Sequence, residues 1–413
     1  MKPVAANKGA LLLACAVALS CNDGQPPSMR TWPAVHDTVG DTIVVRPLGG
    51  SVWQDSTRLV GPEPRIVYRS EELGWPGVII ALDGGRLAVS DRTRIHIITQ
   101  DGEPLGIIGR AGKGPGEFSL IGGMAAWPGD SLLVWDPNQY RLTWLSVAGR
   151  AGRTALVEAP PGLAAGEEID LVPGPAGVVL VWYPGYVLPD GPPPPYALAR
   201  HDLDGGLEQE LARVPGFAMI GTSMGVFVPR SLYGPRPLYA VALDGRVAVS
   251  DGVEYCVLVL QPDGDSGRPL RICRDVERPL VQPEIRAPDY SALADLLSPR
   301  DLDLLRSRLL VQEFPERKNA IEELRFDSGG RLWVRRTGAD ERYDPMLLGP
   351  YPELRPEHYD WDVFDRDGRL LTTVALSSRF EPRLILGNRI YGVVTLDTGE
   401  NVVALVELTD GPF

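Results

Sequence analysis

Gly85-Arg86-Leu87-Ala88-Val89-Ser90-Asp91 returns almost letter for letter as Gly245-Arg246-Val247-Ala248-Val249-Ser250-Asp251. Each copy is a turn, a short apolar strand and a closing acid. Looser copies run from Asp130 to Asp136, Gly177 to Trp182, Gly330 to Arg335 and Asn388 to Val393. A unit recurring along a whole chain is the mark of a repeat architecture. An apolar strand candidate precedes each copy. Another follows and ends in a turn, often Asp-Gly, as at Asp101-Gly102, Asp204-Gly205, Asp263-Gly264 and Asp367-Gly368. In five of the units a further short strand comes next. Four antiparallel strands repeated six times predict an all-β chain, a six-bladed β-propeller over residues 41–413.

The last unit runs out at Asp410-Gly411-Pro412-Phe413, where its outermost strand should begin, while Asp41 to Leu48 is a β-branched strand with no place in the first unit. Pairing the two closes the ring and removes an exposed sheet edge, so the N-terminal strand is expected in the last blade. Residues 283–314 interrupt the pattern. Ser298 reads as an N-cap, Pro299 as the first helical residue, and Leu302, Leu305 and Leu309 recur on one face, which predicts a small helical insertion.

Ile108-Gly109-Arg110-Ala111-Gly112-Lys113-Gly114-Pro115-Gly116-Glu117-Phe118 resembles the interblade motif of NHL-type six-bladed propellers. Asp91 and Asp136 at strand ends, followed by Arg94 and Arg141, are similar to the rest of that repeat. The first repeat matches well, the second partly, and the others keep only the pattern of strands and turns. The resemblance implies the fold; this architecture hosts scaffolds, ligand binders, lactonases and lyases, so the activity does not follow from it.

Composition agrees with a turn-rich globular chain. Gly 46 and Pro 39 in 413 residues supply turns, and 44% hydrophobic residues supply a core. A formal charge of −13 argues against nucleic-acid binding and against unspecific adsorption to anionic lipid. Residues 1–20 read as a signal peptide, with Lys2 and Lys8 ahead of the apolar run from Ala10 to Leu19. Ala18-Leu19-Ser20-Cys21 resembles the bacterial lipobox, which makes Cys21 the lipidated residue and residues 21–40 a polar tether. The expected location is therefore outside the cytoplasm, anchored by lipid to a bacterial membrane facing the periplasm or cell surface, with a secreted soluble form, cleaved after Ala18, as the alternative. In an oxidising compartment the strands around Asp263 to Ser266 would place Cys256 opposite Cys273, the register of a cross-strand disulfide, with free buried thiols as the other possibility.

Several motifs fail on context. A phosphate loop at Gly109 to Gly116 needs glycine where Ile107 stands and Ser or Thr where Gly114 stands. Gly221-Thr222-Ser223-Met224-Gly225, with His358 later, fits a nucleophile elbow, but Val226 to Pro237 is proline-rich rather than helical. Asp360, Asp362, Asp365 and Asp367 suggest a calcium loop, yet Val363 occupies the first acidic position. The four histidines are isolated, which disfavours a histidine-rich zinc site. Asp91, Asp136 and Asp251 end equivalent strands and could converge on an axis; the competing reading has each capping its own turn.

Loops joining the first to second and third to fourth strands of a blade share one face and are short. The long insertions, Tyr183 to Pro195, Val214 to Arg236, Asp275 to Lys318 and Thr337 to His358, all lie on the other. Elaboration on one face of a repeat protein marks the binding face. The candidate ligand-binding residues are Asp91, Arg94, Lys113, Asp136, Arg141, Tyr186, Arg230, Tyr233, Arg236, Arg336, Tyr343 and Tyr351. No catalytic motif survives, so the expected function is a binding or scaffolding module for an extracytoplasmic protein, peptide or glycan, without a cofactor. The alternative is a metal-dependent lactonase-like hydrolase or lyase at the channel mouth, the one case in which calcium or zinc is called for.

Overall fold

The computed structural model describes residues 34–39, 42–47, 58–165, 172–174, 177–183, 195–216, 219–221, 227–229, 233–261, 267–281, 298–300, 303, 315–339, 341, 343–344, 349–350 and 355–409. They form a six-bladed β-propeller. Blade 1 holds Pro76–Leu82, Arg86–Asp91, Arg94–Thr99 and Pro104–Ile108, and blade 2 holds Gly123–Trp127, Ser131–Asp136, Arg141–Ser146 and Ala151–Leu156. Val172–Gly174, Gly177–Tyr183, Tyr196–His201 and Leu207–Val214 make blade 3, with Ala164–Ala165 also pairing to its second strand. Blade 4 contains Leu238–Val241, Val247–Ser250, Cys256–Leu260 and Leu270–Cys273; blade 5 contains Ile321–Phe326, Leu332–Arg336, His358–Phe364 and Leu370–Ser377. Phe380–Leu386, Arg389–Thr395 and Asn401–Glu407 start blade 6.

An N-terminal strand completes blade 6, but it is Arg65–Tyr68, antiparallel to Asn401–Glu407, and not the strand from Asp41 to Leu48. Thr42–Pro47 instead lies parallel to Leu270–Cys273 on the outer edge of blade 4, and Ala34–Val39 pairs outside it. The sheet therefore begins inside the stretch expected to be tether. Burial explains the exchange. Val45 fills the core between blades 4 and 5, whereas the ring of Tyr68 enters the core shared by blades 6 and 1. Arg58–Val60 adds, also in parallel, to the outer strand of blade 5. The N-terminal segment thus runs along blades 4, 5 and 6 in turn before entering blade 1.

The recurring turn glycines do more than reverse the chain. Gly102 and Gly205 have φ of 95° and 93°, conformations open to glycine, and a Cβ on them would sit 1.7 Å from the Val67 carbonyl oxygen and 2.0 Å from that of Leu156. Each presses on the outermost strand of the preceding blade. The Asp-Gly turn is therefore a contact between blades as well as a hairpin turn.

Cys256 and Cys273 are directly paired in register and joined by a disulfide. Within the expected helical insertion Pro299, Arg300 and Asp303 are helical; the rest of residues 283–314 lies almost wholly outside the described residues. No helix among the described residues is long and apolar enough to cross a membrane.

Candidate functional site

The first strand of a blade lines the propeller axis, and the first strands of blades 1, 2, 4, 5 and 6 surround a cavity of about 550 Å³. Its wall is mostly apolar, with Val78, Ile80, Ile121, Met124, Leu324 and Leu384 among the lining residues. The charged residues in the wall are Arg92, Glu322, Glu323, Arg325, Asp327 and Arg383. Glu323 and Arg325 pair with each other at 2.5 Å, and Arg383 pairs with Glu381 at 2.9 Å. Arg92 lies at the end where the first strands begin, in the turn between the second and third strands of blade 1. That end is the long-loop face.

A buried polar knot underlies the same face between blades 4 and 5. Glu322 takes Arg236 Nη1 at 2.5 Å and the Thr337 hydroxyl at 2.9 Å. Arg335 donates to Glu341 at 2.9 Å, and Glu341 also accepts from the Gly338 amide at 3.0 Å. Lys318 Nζ donates to the carbonyls of Ala339 and Glu341 at 2.7 and 2.6 Å, and Asn319 Nδ2 donates to the carbonyl of Gly234 at 3.1 Å. Burial, and after it the opposing Glu341, hold the Glu322 carboxyl above the usual range despite Arg236 and Arg335. For Arg335 burial works against the charge, but Glu341 and Glu322 outweigh it and keep the guanidinium firmly protonated. Burial also pushes the Tyr359 hydroxyl up, with Glu341 adding to it; its ring lies 4.4 Å from the Arg335 guanidinium carbon.

A second buried acid sits beside the knot. Asp362, on the third strand of blade 5, receives the Tyr255 hydroxyl at 2.7 Å, the Thr373 hydroxyl at 2.6 Å and the guanidinium of Arg274. Burial alone would raise its pKa, yet Arg274 and then Arg336 bring it below the usual carboxylate range. Arg336 also pairs with Asp360 at 2.8 Å.

The sequence candidates fall into three groups. Asp91 accepts from the amides of Gly74 and Trp75 at 3.2 and 2.7 Å, Asp136 from Ser119 and Asn138 at 2.7 and 3.1 Å, and Asp251 from Val253 at 3.0 Å. These carboxylates fasten loops, and no group of three or more His, Cys, Asp or Glu able to hold a metal occurs among the described residues. Arg141 reaches the carbonyls of Lys113 and Glu117 at 2.9 and 2.5 Å, so the glycine-rich link between blades 1 and 2 is clasped by its own repeat. The Lys113 side chain is exposed, and Arg94 lies 3.5 Å from Glu72. Tyr233 is buried, Arg236 pairs with Glu322 and Arg336 pairs with Asp360. Cys21, Tyr186, Arg230, Tyr351 and the side chain of Tyr343 lie outside the described residues, as do Thr222 to Val226.

Glu322, Glu341, Lys318, Arg335 and Arg274 were missed, and Asp362 was considered only as part of a calcium loop. The one available signal was Lys318, since lysines are rare in this chain and this one stands three residues before the strand Ile321–Phe326.

No family model matches the chain, and no curated protein matches it. Solved structures do resemble it. A member of the DUF4221 family from Bacteroides vulgatus is 12% identical over 84% of this chain and 97% of that one, with a TM-score of 0.49. Regucalcin, a calcium-binding protein from Agrobacterium tumefaciens, is 12% identical over 87% and 99%, with a TM-score of 0.42. Virginiamycin B lyase from Staphylococcus aureus is 10% identical over 83% and 99%, with a TM-score of 0.40. Likeness at this level carries none of their activities to this chain.

Proposed function

We propose that the protein is an exported, lipid-anchored propeller of NHL-like type that binds an extracytoplasmic protein, peptide or glycan through its long-loop face. The observation that carries this reading is the knot. Arg236 ends one long insertion, Lys318 ends a second, and Ala339 and Glu341 belong to a third; Glu322, Asn319 and Lys318 tie these roots to one another. Burying so many charges is costly unless every one is matched. Fixing loop roots in this way lowers the ordering cost of recognition, which is the physical gain a preformed binding face offers. The disulfide and the Cys21 signal suit export.

The test is a peptide and glycan array probed with the protein purified from Cys21 onward, alongside Glu341→Gln. Selective binding that weakens in the variant supports the reading. The enzymatic alternative requires a tightly held stoichiometric calcium or zinc, which elemental analysis detects. A retained metal, with hydrolysis of lactones lost on its removal, would replace the binder by the enzyme. Intact-protein mass spectrometry of the membrane fraction checks the anchor: absence of acyl mass on Cys21 removes it.

A further inference from the structure

Asp91 fixes the Gly74 and Trp75 amides and so sets Trp75 beside the turn that carries Arg92. The Arg92 guanidinium carbon lies 5.9 Å from the Trp75 ring centroid, and Trp75 remains 59% exposed. Arg92 itself holds φ of 50°, a left-handed conformation that a non-glycine residue rarely adopts. Both residues line the axial cavity at its long-loop end, next to Ser90 and Gly77. The other arginines lining that cavity are neutralised, Arg325 by Glu323 and Arg383 by Glu381. Among the described residues the Arg92 guanidinium has no carboxylate partner.

An unmatched planar cation beside an exposed indole, at the mouth of an apolar cavity, is complementary to one kind of molecule. The guanidinium fork matches a carboxylate in two parallel hydrogen bonds, and the indole face covers an adjoining flat or apolar group. A volume of about 550 Å³ falls in the range of small-molecule sites. We propose that the channel mouth at Arg92 and Trp75 binds a carboxylate-bearing small molecule or side chain whose apolar body enters the axial cavity. This deepens the reading of the long-loop face as the working face and rests on it. The acid group sits on Arg92, and the body lies against Trp75 and the wall formed by Val78, Ile80 and Ile121.

Calorimetric titration with 4-phenylbutyrate and its neutral amide, 4-phenylbutanamide, tests this. The acid is expected to bind about tenfold more tightly than the amide, a difference of about 1.4 kcal/mol. Arg92→Gln should erase the preference and leave amide binding unchanged, while Arg92→Lys keeps part of it. Trp75→Ala should weaken both ligands alike. Circular dichroism of each variant confirms the fold, which an exposed side chain should not alter. Equal binding of acid and amide, a preference that survives in R92Q, or no saturable binding of either overturns the proposal. Array ligands would still bind in that case, which separates its failure from failure of the long-loop reading.

Discussion

Tyr255 donates its hydroxyl to Asp362 at 2.7 Å across the boundary between blades 4 and 5, from a position next to Cys256. Arg274, which also donates to Asp362, directly follows Cys273. The disulfide therefore holds both arms of one interblade clasp in register. Replacing Asp362 by Asn leaves the buried Arg274 without its carboxylate, and the expected loss is about 3–5 kcal/mol in urea unfolding. Tyr255→Phe removes one hydrogen bond to a charged group and should cost about 1.5–3 kcal/mol. Cys256→Ala with Cys273→Ala should cost about 2–4 kcal/mol. If D362N is no worse than Y255F, the clasp is not an ionic one.

Gly205 and Gly85 both have positive φ, 93° and 70°, but a Cβ meets the Leu156 backbone at the first and nothing within 4 Å at the second. Alanine at either site incurs strain of order 1 kcal/mol; at Gly205 the neighbouring blade must also shift. Thermal unfolding should place Gly205→Ala several degrees below Gly85→Ala. Equal melting temperatures would mean that the turn does not press on blade 2.

The strand count of the six blades was legible because each blade repeats a turn followed by an apolar strand. Register at the disulfide was legible too, since a hairpin fixes which residues face each other. Closure was not. Thr42–Pro47 looks like the better strand because it is β-branched, but strand propensity does not say which edge a strand joins. That choice depends on the pockets filled by Val45 and Tyr68, which form only after the blades have packed. The knot was hidden for a similar reason: Glu322 and Asp362 sit in strands whose neighbours are ordinary, and their burial comes from other blades. The axial cavity is formed by five blades at once, so nothing local in the sequence announces Arg92 as its unmatched charge.

His96 and His201 should make the protein sensitive to mild acid. Both are fully buried, and burial is the main cause holding their pKa values below the usual one. The Tyr68 hydroxyl lies 2.9 Å from His96 Nδ1, and Trp182 Nε1 donates to His201 Nε2 at 3.0 Å, a bond that requires an unprotonated acceptor. A depressed folded pKa gives stability that is complete above the unfolded value, about 6.5, and is lost as pH falls through the folded value. Urea unfolding between pH 7 and pH 5 should therefore show stability falling by up to about 1.4 kcal/mol per pH unit for each histidine. His201→Gln keeps an acceptor for Trp182 but cannot titrate, so its slope should be shallower. An unchanged slope in both His96→Gln and His201→Gln would assign the acid sensitivity elsewhere.

Glu322 and Glu341 occupy one knot but should respond differently to neutralisation. Glu341→Gln leaves Arg335 with only the looser contacts to Glu322 at 4.0 Å and Glu323 at 3.7 Å, so a loss of about 3–5 kcal/mol is expected. The same change frees the root at Gly338, and limited proteolysis should cut the segment after it faster than in the parent protein. Glu322 carries a raised folded pKa, chiefly from burial. Stability from such an acid is complete below its unfolded value and declines as pH rises through the folded one. Relative to the parent, Glu322→Gln should therefore cost less at pH 8 than at pH 5, as read from paired urea titrations at the two values. A cost that grows with pH would show that Arg236 and Arg335 dominate burial at this carboxyl and that it is ionised throughout.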